Sequence, residues 1–156
     1  SAVVGFAKEQ DCDVIVFEHL EIRGKISGSR KQKLHLWRKR DIQKRCEHLA
    51  HRNGMRISRV NARGTSAYAY DGSGKVIRDK KNYSMCTFAG GKRYHADLSA
   101  SYNIGARYWI REILKPLPGT AGSLLEAEVP SVKRRSRCVH EDLLRLRRTM
   151  MEKGIA

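Results

Sequence analysis

The spacing of apolar positions changes several times along the chain, and each change marks an element. Ala2 to Gln10 reads as the tail of a helix. Val14-Ile15-Val16-Phe17 is an unbroken run of β-formers, the pattern of a strand covered on both faces. Gly24 and Ser27-Gly28-Ser29 mark a flexible loop. From Lys31 to Arg52 the apolar residues Leu34, Trp37, Ile42, Cys46 and Leu49 fall in a helical stripe, and Asn53-Gly54 supplies the stop. Met55 to Asn61 predicts a second strand anchored by Ile57 and Val60. Thr65 to Tyr94 is rich in Gly, Ser, Tyr and Lys and predicts a loop or small β insertion, with a turn at Asp71-Gly72-Ser73-Gly74. Ala96 to Leu114 predicts a helix whose apolar stripe runs through Leu98, Tyr102, Gly105, Trp109 and Ile113. Pro116 and Pro118-Gly119 end it, Gly119 to Pro130 reads as a linker, and His140 to Lys153 as a last amphipathic helix. The order is that of an α/β chain, with Val14–Phe17 expected as a central strand between the Lys31–Arg52 and Ala96–Leu114 helices.

Composition narrows the function classes. Of 156 residues, 40% are hydrophobic and 31% charged, enough for a packed core and too apolar for wholesale disorder. No apolar run approaches the ~18–20 residues of a membrane-spanning helix. Charge changes the picture most: 32 Lys and Arg stand against 16 acidic residues, a net charge of +16. Such an excess repels itself unless a polyanion compensates it; the plainer alternative is a solvated basic surface. Arg30 to Arg45 holds eight cations against one acid, and Lys133 to Arg148 holds seven. Arg30, Lys31, Lys33, Arg38, Lys39, Lys44, Arg134 and Arg135 are therefore the candidate phosphate contacts. Trp37, set among them, either belongs to the core or stacks on unpaired bases.

The four cysteines, Cys12, Cys46, Cys86 and Cys138, form no CxxC pair. Free thiols in a reducing compartment fit this usage, and Ala2 to Ala7 lacks the form of a secretory leader, so a cytoplasmic protein is expected. Cys46, His48 and His51 fit surface positions on the first long helix better than a metal site.

Two carboxylates carry candidate chemistry. Glu18 follows the apolar strand directly; strand ends are where α/β folds gather functional groups, and also where any strand meets water. Asp97 falls in the first turn of the Ala96–Leu114 helix, where a helix N-terminus stabilises an anion whether or not it has another role. As a pair, such carboxylates suit Mg²⁺ or Mn²⁺ and metal-assisted phosphodiester cleavage.

Asp13-Val14-Ile15-Val16-Phe17-Glu18-His19-Leu20 resembles the second catalytic motif of RuvC-like nuclease domains, and Tyr94-His95-Ala96-Asp97-Leu98-Ser99-Ala100-Ser101-Tyr102-Asn103-Ile104-Gly105 resembles the third. Gly64-Thr65-Ser66 resembles the segment that leads into that family's zinc ribbon. Order and spacing from Asp13 to Arg111 resemble the C-terminal half of the TnpB-like, OrfB-type proteins of bacterial insertion sequences, relatives of type V CRISPR effector nucleases. The resemblance implies a partial RNase H-like fold, Glu18 and Asp97 as metal-binding catalytic residues, Mg²⁺ or Mn²⁺ as cofactor, and DNA and a guide RNA as partners. It implies a RuvC-like part over 1–64, an insertion over 65–94, the third-motif helix over 95–115, and a linker with a basic C-terminal helix over 116–156.

The chain departs from the family pattern twice. The first motif places another catalytic Asp on an earlier strand, and nothing before Glu18 supplies it; Asp11 and Asp13 sit at the start of the second-motif strand. The chain is thus expected to be a fragment, inactive or nearly so alone, with an open sheet edge that invites a homodimer. In the ribbon, the two CxxC pairs would fall near Ala69 and Gly72 and near Thr87 and Gly90. No zinc is expected, and Tyr68, Tyr70, Tyr83 and Phe88 are expected to hold the insertion instead. The competing functions are a piece of an RNA-guided, metal-dependent DNA endonuclease, a non-catalytic nucleic-acid-binding module derived from one, and a basic scaffold for other proteins.

Overall fold

The computed structural model describes residues 1–19 and 30–155, without the side chains of residues 30–37. The expected loop at Gly24 to Ser29, the side chains of Arg30, Lys31 and Lys33, and the two readings of Trp37 lie outside the described residues. The chain is mixed α/β with small sheets. It divides into two compact units, Ser1–Val60 and Asn61–Ala156.

The first unit holds α1 (Ala2–Glu9), β1 (Val14–His19), α2 (Arg30–Arg52) and most of β2 (Arg56–Asn61). Its core gathers Val4 and Ala7 from α1, Ile15 from β1, Cys46 and Ala50 from α2, and Met55, with Phe17, Leu49 and Ile57 packed against them. Strand side chains alternate in direction, so Ile15 and Phe17 face this core while Val14, Val16 and Glu18 share the other face, half-buried. Asn53-Gly54 ends α2 as its residue types require. Gly54 adopts φ +73°, and the Met55 N–H returns to the Ala50 carbonyl at 3.0 Å. The Arg59–Glu47 ion pair (2.8 Å) links β2 to α2, and its guanidinium holds the Glu47 carboxyl below the usual range.

Two expectations are corrected in this unit. Among the described residues β1 pairs with β2 alone, so Val14–Phe17 is an edge strand and not a central one. Ile42, assigned to the buried stripe of α2, is exposed; among the described residues of α2, Cys46 and Ala50 enter the core and Leu49 packs against it.

The second unit begins with the insertion, a three-stranded antiparallel sheet of β3 (Ile77–Arg78), β4 (Met85–Thr87) and β5 (Arg93–His95). A hairpin precedes it, with Tyr68 bridged to Lys75 across the Asp71–Gly74 turn. Gly72 and Gly74 there take φ +78° and +116°, open to glycine at little cost. Then come α3 (Ala96–Leu114), α4 (Gly119–Glu128), a 3₁₀ segment (Pro130–Arg137) and α5 (His140–Lys153).

Gly119 to Pro130, read as a linker, is mostly helix. Leu125 of α4 is fully buried and joins Ile110 and Leu114 of α3, Val129, Val132 and Cys138, and Leu143 and Leu146 of α5 in one core. Small and polar residues hid the one turn that matters. The register of α3 is also corrected. Its buried residues are Ala96, Ser99, Ala100, Asn103, Ala106, Arg107, Tyr108, Ile110 and Leu114, while Leu98, Tyr102 and Trp109 of the expected stripe are exposed. Counting large side chains picked the outward face, because small and polar residues let α3 approach its neighbours closely.

Two buried polar side chains on α3 organise this unit. Asn103 donates from Nδ2 to the carbonyls of Thr65 and Tyr68, both at 2.9 Å, and its Oδ1 accepts the His140 N–H at 3.0 Å. One turn on, Arg107 donates to the carbonyls of Cys138 (3.0 Å) and Asn61 (2.6 Å). At the start of α5, Asp142 accepts from the Val139 N–H (2.8 Å) and the Ser131 hydroxyl (2.7 Å), joining the 3₁₀ segment to the helix.

Asn103→Leu keeps the branched outline but leaves three backbone groups without their partner, one in a buried and two in part-buried hydrogen bonds, at about 1 kcal/mol or more each. Urea unfolding followed by Trp109 emission in a Trp37→Phe background should therefore show the second unit losing about 3 kcal/mol or more. A loss below about 1 kcal/mol would refute the role given to Asn103. Burial pushes the Cys138 thiol from 9.0 up to about 11. Because the folded state holds that proton more tightly, the stabilisation is complete below the ordinary thiol value and is lost as pH rises from there toward about 11. Alkylation mapped by mass spectrometry should accordingly modify exposed Cys12 first and spare Cys138 at neutral pH.

Candidate nucleic-acid interface

The cations are arranged by the burial pattern of the elements that carry them. On α2 the core takes Cys46 and Ala50, which leaves Arg38, Lys39, Arg40 and Lys44 exposed. Arg45 is held by Asp41 at 2.9 Å, one turn back, so that acid offsets one positive charge of the series. In the second unit the 3₁₀ segment buries Val132 and exposes Lys133, Arg134, Arg135 and Arg137. On α5, Glu141 pairs with Arg148 at 2.8 Å and with Arg145 at 3.6 Å. Of the sequence-assigned contacts, Arg38, Lys39 and Lys44 lie on one unit and Arg134 and Arg135 on the other.

The insertion is held by rings, though not all of those expected. Tyr70 is the hub, with centroids 5.7 Å from Phe88, 5.2 Å from Tyr94 and 4.9 Å from Tyr102. His140 of α5 lies 5.2 Å from Tyr102, which extends the cluster beyond the insertion. Tyr83 takes no part: it is 73% exposed on the turn before β4. Lys92 closes the cluster from outside. Its Nζ donates to the Tyr70 hydroxyl at 2.8 Å and stands 4.9 Å over the Tyr94 ring. That hydrogen bond raises the Lys92 pKa, and burial raises that of Tyr94.

Ala69 and Phe88 border the positions where the family's metal pairs would fall. Both sit at tight turns, closed by Gly72 N–H to Ala69 O (3.2 Å) and Gly91 N–H to Phe88 O (2.9 Å). Ala69, Cys86, Phe88 and Ala96 form the buried centre between those turns. The Cys86 thiol donates to the Tyr94 carbonyl at 3.5 Å, and burial pushes its pKa up, the reverse of what a metal-binding thiolate needs. Cys46 is buried in the first core, with His48 and His51 exposed beside it. Among the described residues no three His, Cys, Asp or Glu side chains gather as a metal site.

The candidate catalytic carboxylates belong to different units. Glu18 is the next-to-last residue of β1, half-buried, and its carbonyl accepts from Gln43 Nε2 at 3.0 Å. Asp97 is exposed in the first turn of α3, where its N–H donates to Nδ1 of His95, the residue that caps the helix, at 3.3 Å. Each is an oxygen donor of the hard type that divalent Mg²⁺ or Mn²⁺ prefers.

Sequence reading missed Asn103, Arg107, Lys92 and His140. For the first two a signal existed: Asn is a poor residue for a helix interior, and at 103 it stands four positions before Arg107, with Gly105-Ala106 between them.

No helix among the described residues is long and apolar enough to cross a membrane. No family model matches the chain, and no solved structure matches it. A stretch of 63 residues is 38% identical to the 2,3-bisphosphoglycerate-independent phosphoglycerate mutase of Ehrlichia canis (strain Jake), covering 38% of this chain. The chain spans only 12% of the length of that enzyme, too little to carry over its fold or its activity.

Proposed function

We propose that this chain is a nucleic-acid-binding part of a cytoplasmic, transposon-encoded, RNA-guided DNA endonuclease, with a partial RNase H-like fold. The observation that carries the reading is the series of exposed cations on α2 and on the 3₁₀ segment, in a chain of net charge +16. Basic side chains so arranged neutralise phosphates and release condensed counterions, which gives affinity for any strand. DNA and a guide RNA are the polyanions in this reading.

Glu18 and Asp97 are the catalytic residues proposed. Their donor type fits Mg²⁺ or Mn²⁺, which when bound would activate a water and stabilise the leaving oxygen of a phosphodiester. The chain's own part is to fix one carboxylate at a strand end and the other at a helix start, both rigid positions. The residues before β1 form helix α1 rather than a strand with a first-motif Asp, which favours cleavage only in a longer parent. The second reading, a binding module that cuts nothing, rests on that same helix. Zinc has no part in the proposal, since the sequence carries no CxxC pair. A homodimer through the open edge of the β1–β2 sheet completes it, and sedimentation that finds monomer at every concentration would remove that element.

Fluorescence anisotropy with labelled single- and double-stranded DNA tests the grip. Affinity should fall steeply between low and moderate salt. Arg38→Glu, Lys39→Glu and Lys44→Glu together should weaken binding uniformly across sequences and flatten the salt dependence by about one unit of log–log slope per cation. Affinity indifferent to salt would contradict the reading. In the parent protein, Glu18→Gln or Asp97→Asn should abolish Mg²⁺-dependent cleavage and spare binding, because each keeps the side chain's shape and removes the charge that holds the ion. Cleavage that survives Glu18→Gln would leave the module reading in place.

A further inference from the structure

The face of α3 that sequence periodicity assigned to the core is turned outward. Leu98, Tyr102 and Trp109 are 52%, 44% and 56% exposed, and Gly105 lies between them at the same helical spacing. A Cβ placed on Gly105 would meet nothing within 4 Å. The seam is about three turns long and notched at its middle, which lets another backbone come close. At its end Trp109 and Ile113 of α3 stand with Leu143, Met150 and Met151 of α5 around an open groove of about 500 Å³. Met151 is 83% exposed. Flexible methionines lining a groove between two helices suit the apolar face of a third, a common mode of peptide recognition.

Charge selects the occupant. Arg147 is the charged residue of the groove lining. A second copy docked through this groove would set its own Arg147 against this one and is disfavoured there. Trp109 apart, the groove is lined by aliphatic side chains and one arginine, which give nucleobases no set of stacked rings. We infer that this seam and groove form a docking site for an amphipathic helix of a partner protein, apolar on one face and acidic along its flank. The inference stands apart from the nucleic-acid reading, since it uses neither the exposed cations of α2 nor the two carboxylates.

The test uses the whole chain with Trp37→Phe, so that Trp109 is the sole indole, and two synthetic peptide helices about five turns long. Both carry leucine along one face; one has glutamate on its flanks and the other lysine. The glutamate peptide should shift Trp109 emission to the blue and saturate at micromolar concentration. The lysine peptide should bind at least about tenfold more weakly. By anisotropy of the labelled glutamate peptide, Gly105→Gln should weaken binding about tenfold by filling the notch, and Arg147→Gln several-fold. A Cβ on Gly105 meets open space and Arg147 is exposed, so these variants keep the fold, which circular dichroism verifies. Three results would overturn the inference: equal or absent response to the two peptides, a blue shift driven by protein concentration alone, or a Trp109 response to oligo-dT but to neither peptide. The second would assign the face to another copy of the chain, and the third to nucleic acid.

Discussion

Asn103 and Arg107, buried one turn apart on α3, must have their hydrogen-bonding groups met inside the protein, and the rest of the second unit is bent to meet them. Leaving such groups unpaired costs as much as a large truncation in the core. Five backbone positions supply partners: Asn61, Thr65, Tyr68, Cys138 and His140. They come from the end of β2, the approach to the insertion, and the start of α5. Sequence separations of 31 to 46 residues are closed at one helix surface. Apolar packing of α4 and α5 adds the bulk of the burial around Ile110, Leu125 and Leu146, but it has no direction of its own. The polar contacts set the register.

That constraint has consequences for the surface. With Asn103, Arg107 and the small residues of α3 turned inward, Leu98, Tyr102 and Trp109 face out, and the helix start presents Asp97 at an exposed first turn. The insertion is tied at its root through Thr65 and Tyr68, and its rings meet Tyr102 and His140 where α3 and α5 begin. Lys92 and the 3₁₀ segment then bring positive charge to the outside of the same unit. In the first unit, Val4 and Ala7 of α1 and Cys46, Leu49 and Ala50 of α2 gather with Ile15 and Phe17, while Arg38, Lys39, Arg40 and Lys44 of α2 are exposed.

How much of this was legible depends on which force decided each element. Elements set by local pattern were readable: α3, α5 and β1 follow from runs, caps and stops, and Asn53-Gly54 ends α2 because only such residues suit a left-handed turn. Elements set by tertiary contact were not. Nothing local in Gly119 to Pro130 announces a helix, which exists because Leu125 finds a place in the core. The buried face of α3 was missed because hydrophobicity counts favour Leu98 and Trp109, whereas close approach favours Ala100, Asn103 and Ala106. At the candidate site the cations and the two carboxylates could be named from sequence. The ring cluster could be named in part: Tyr94 of the insertion was not among the residues expected to hold it, and Tyr102 and His140 enter from α3 and α5.

The central claim is that nucleic acid lies against two named basic faces and not against the positive charge at large. Lysine footprinting reads this residue by residue: acetylation of the chain with and without bound DNA, quantified by mass spectrometry. The account predicts that Lys39 and Lys44 on α2, and Lys133 on the 3₁₀ segment, are protected, while the equally exposed Lys80 and Lys81 on the insertion keep their free-state reactivity. Protection spread evenly over all these lysines, or confined to Lys80 and Lys81, would contradict it.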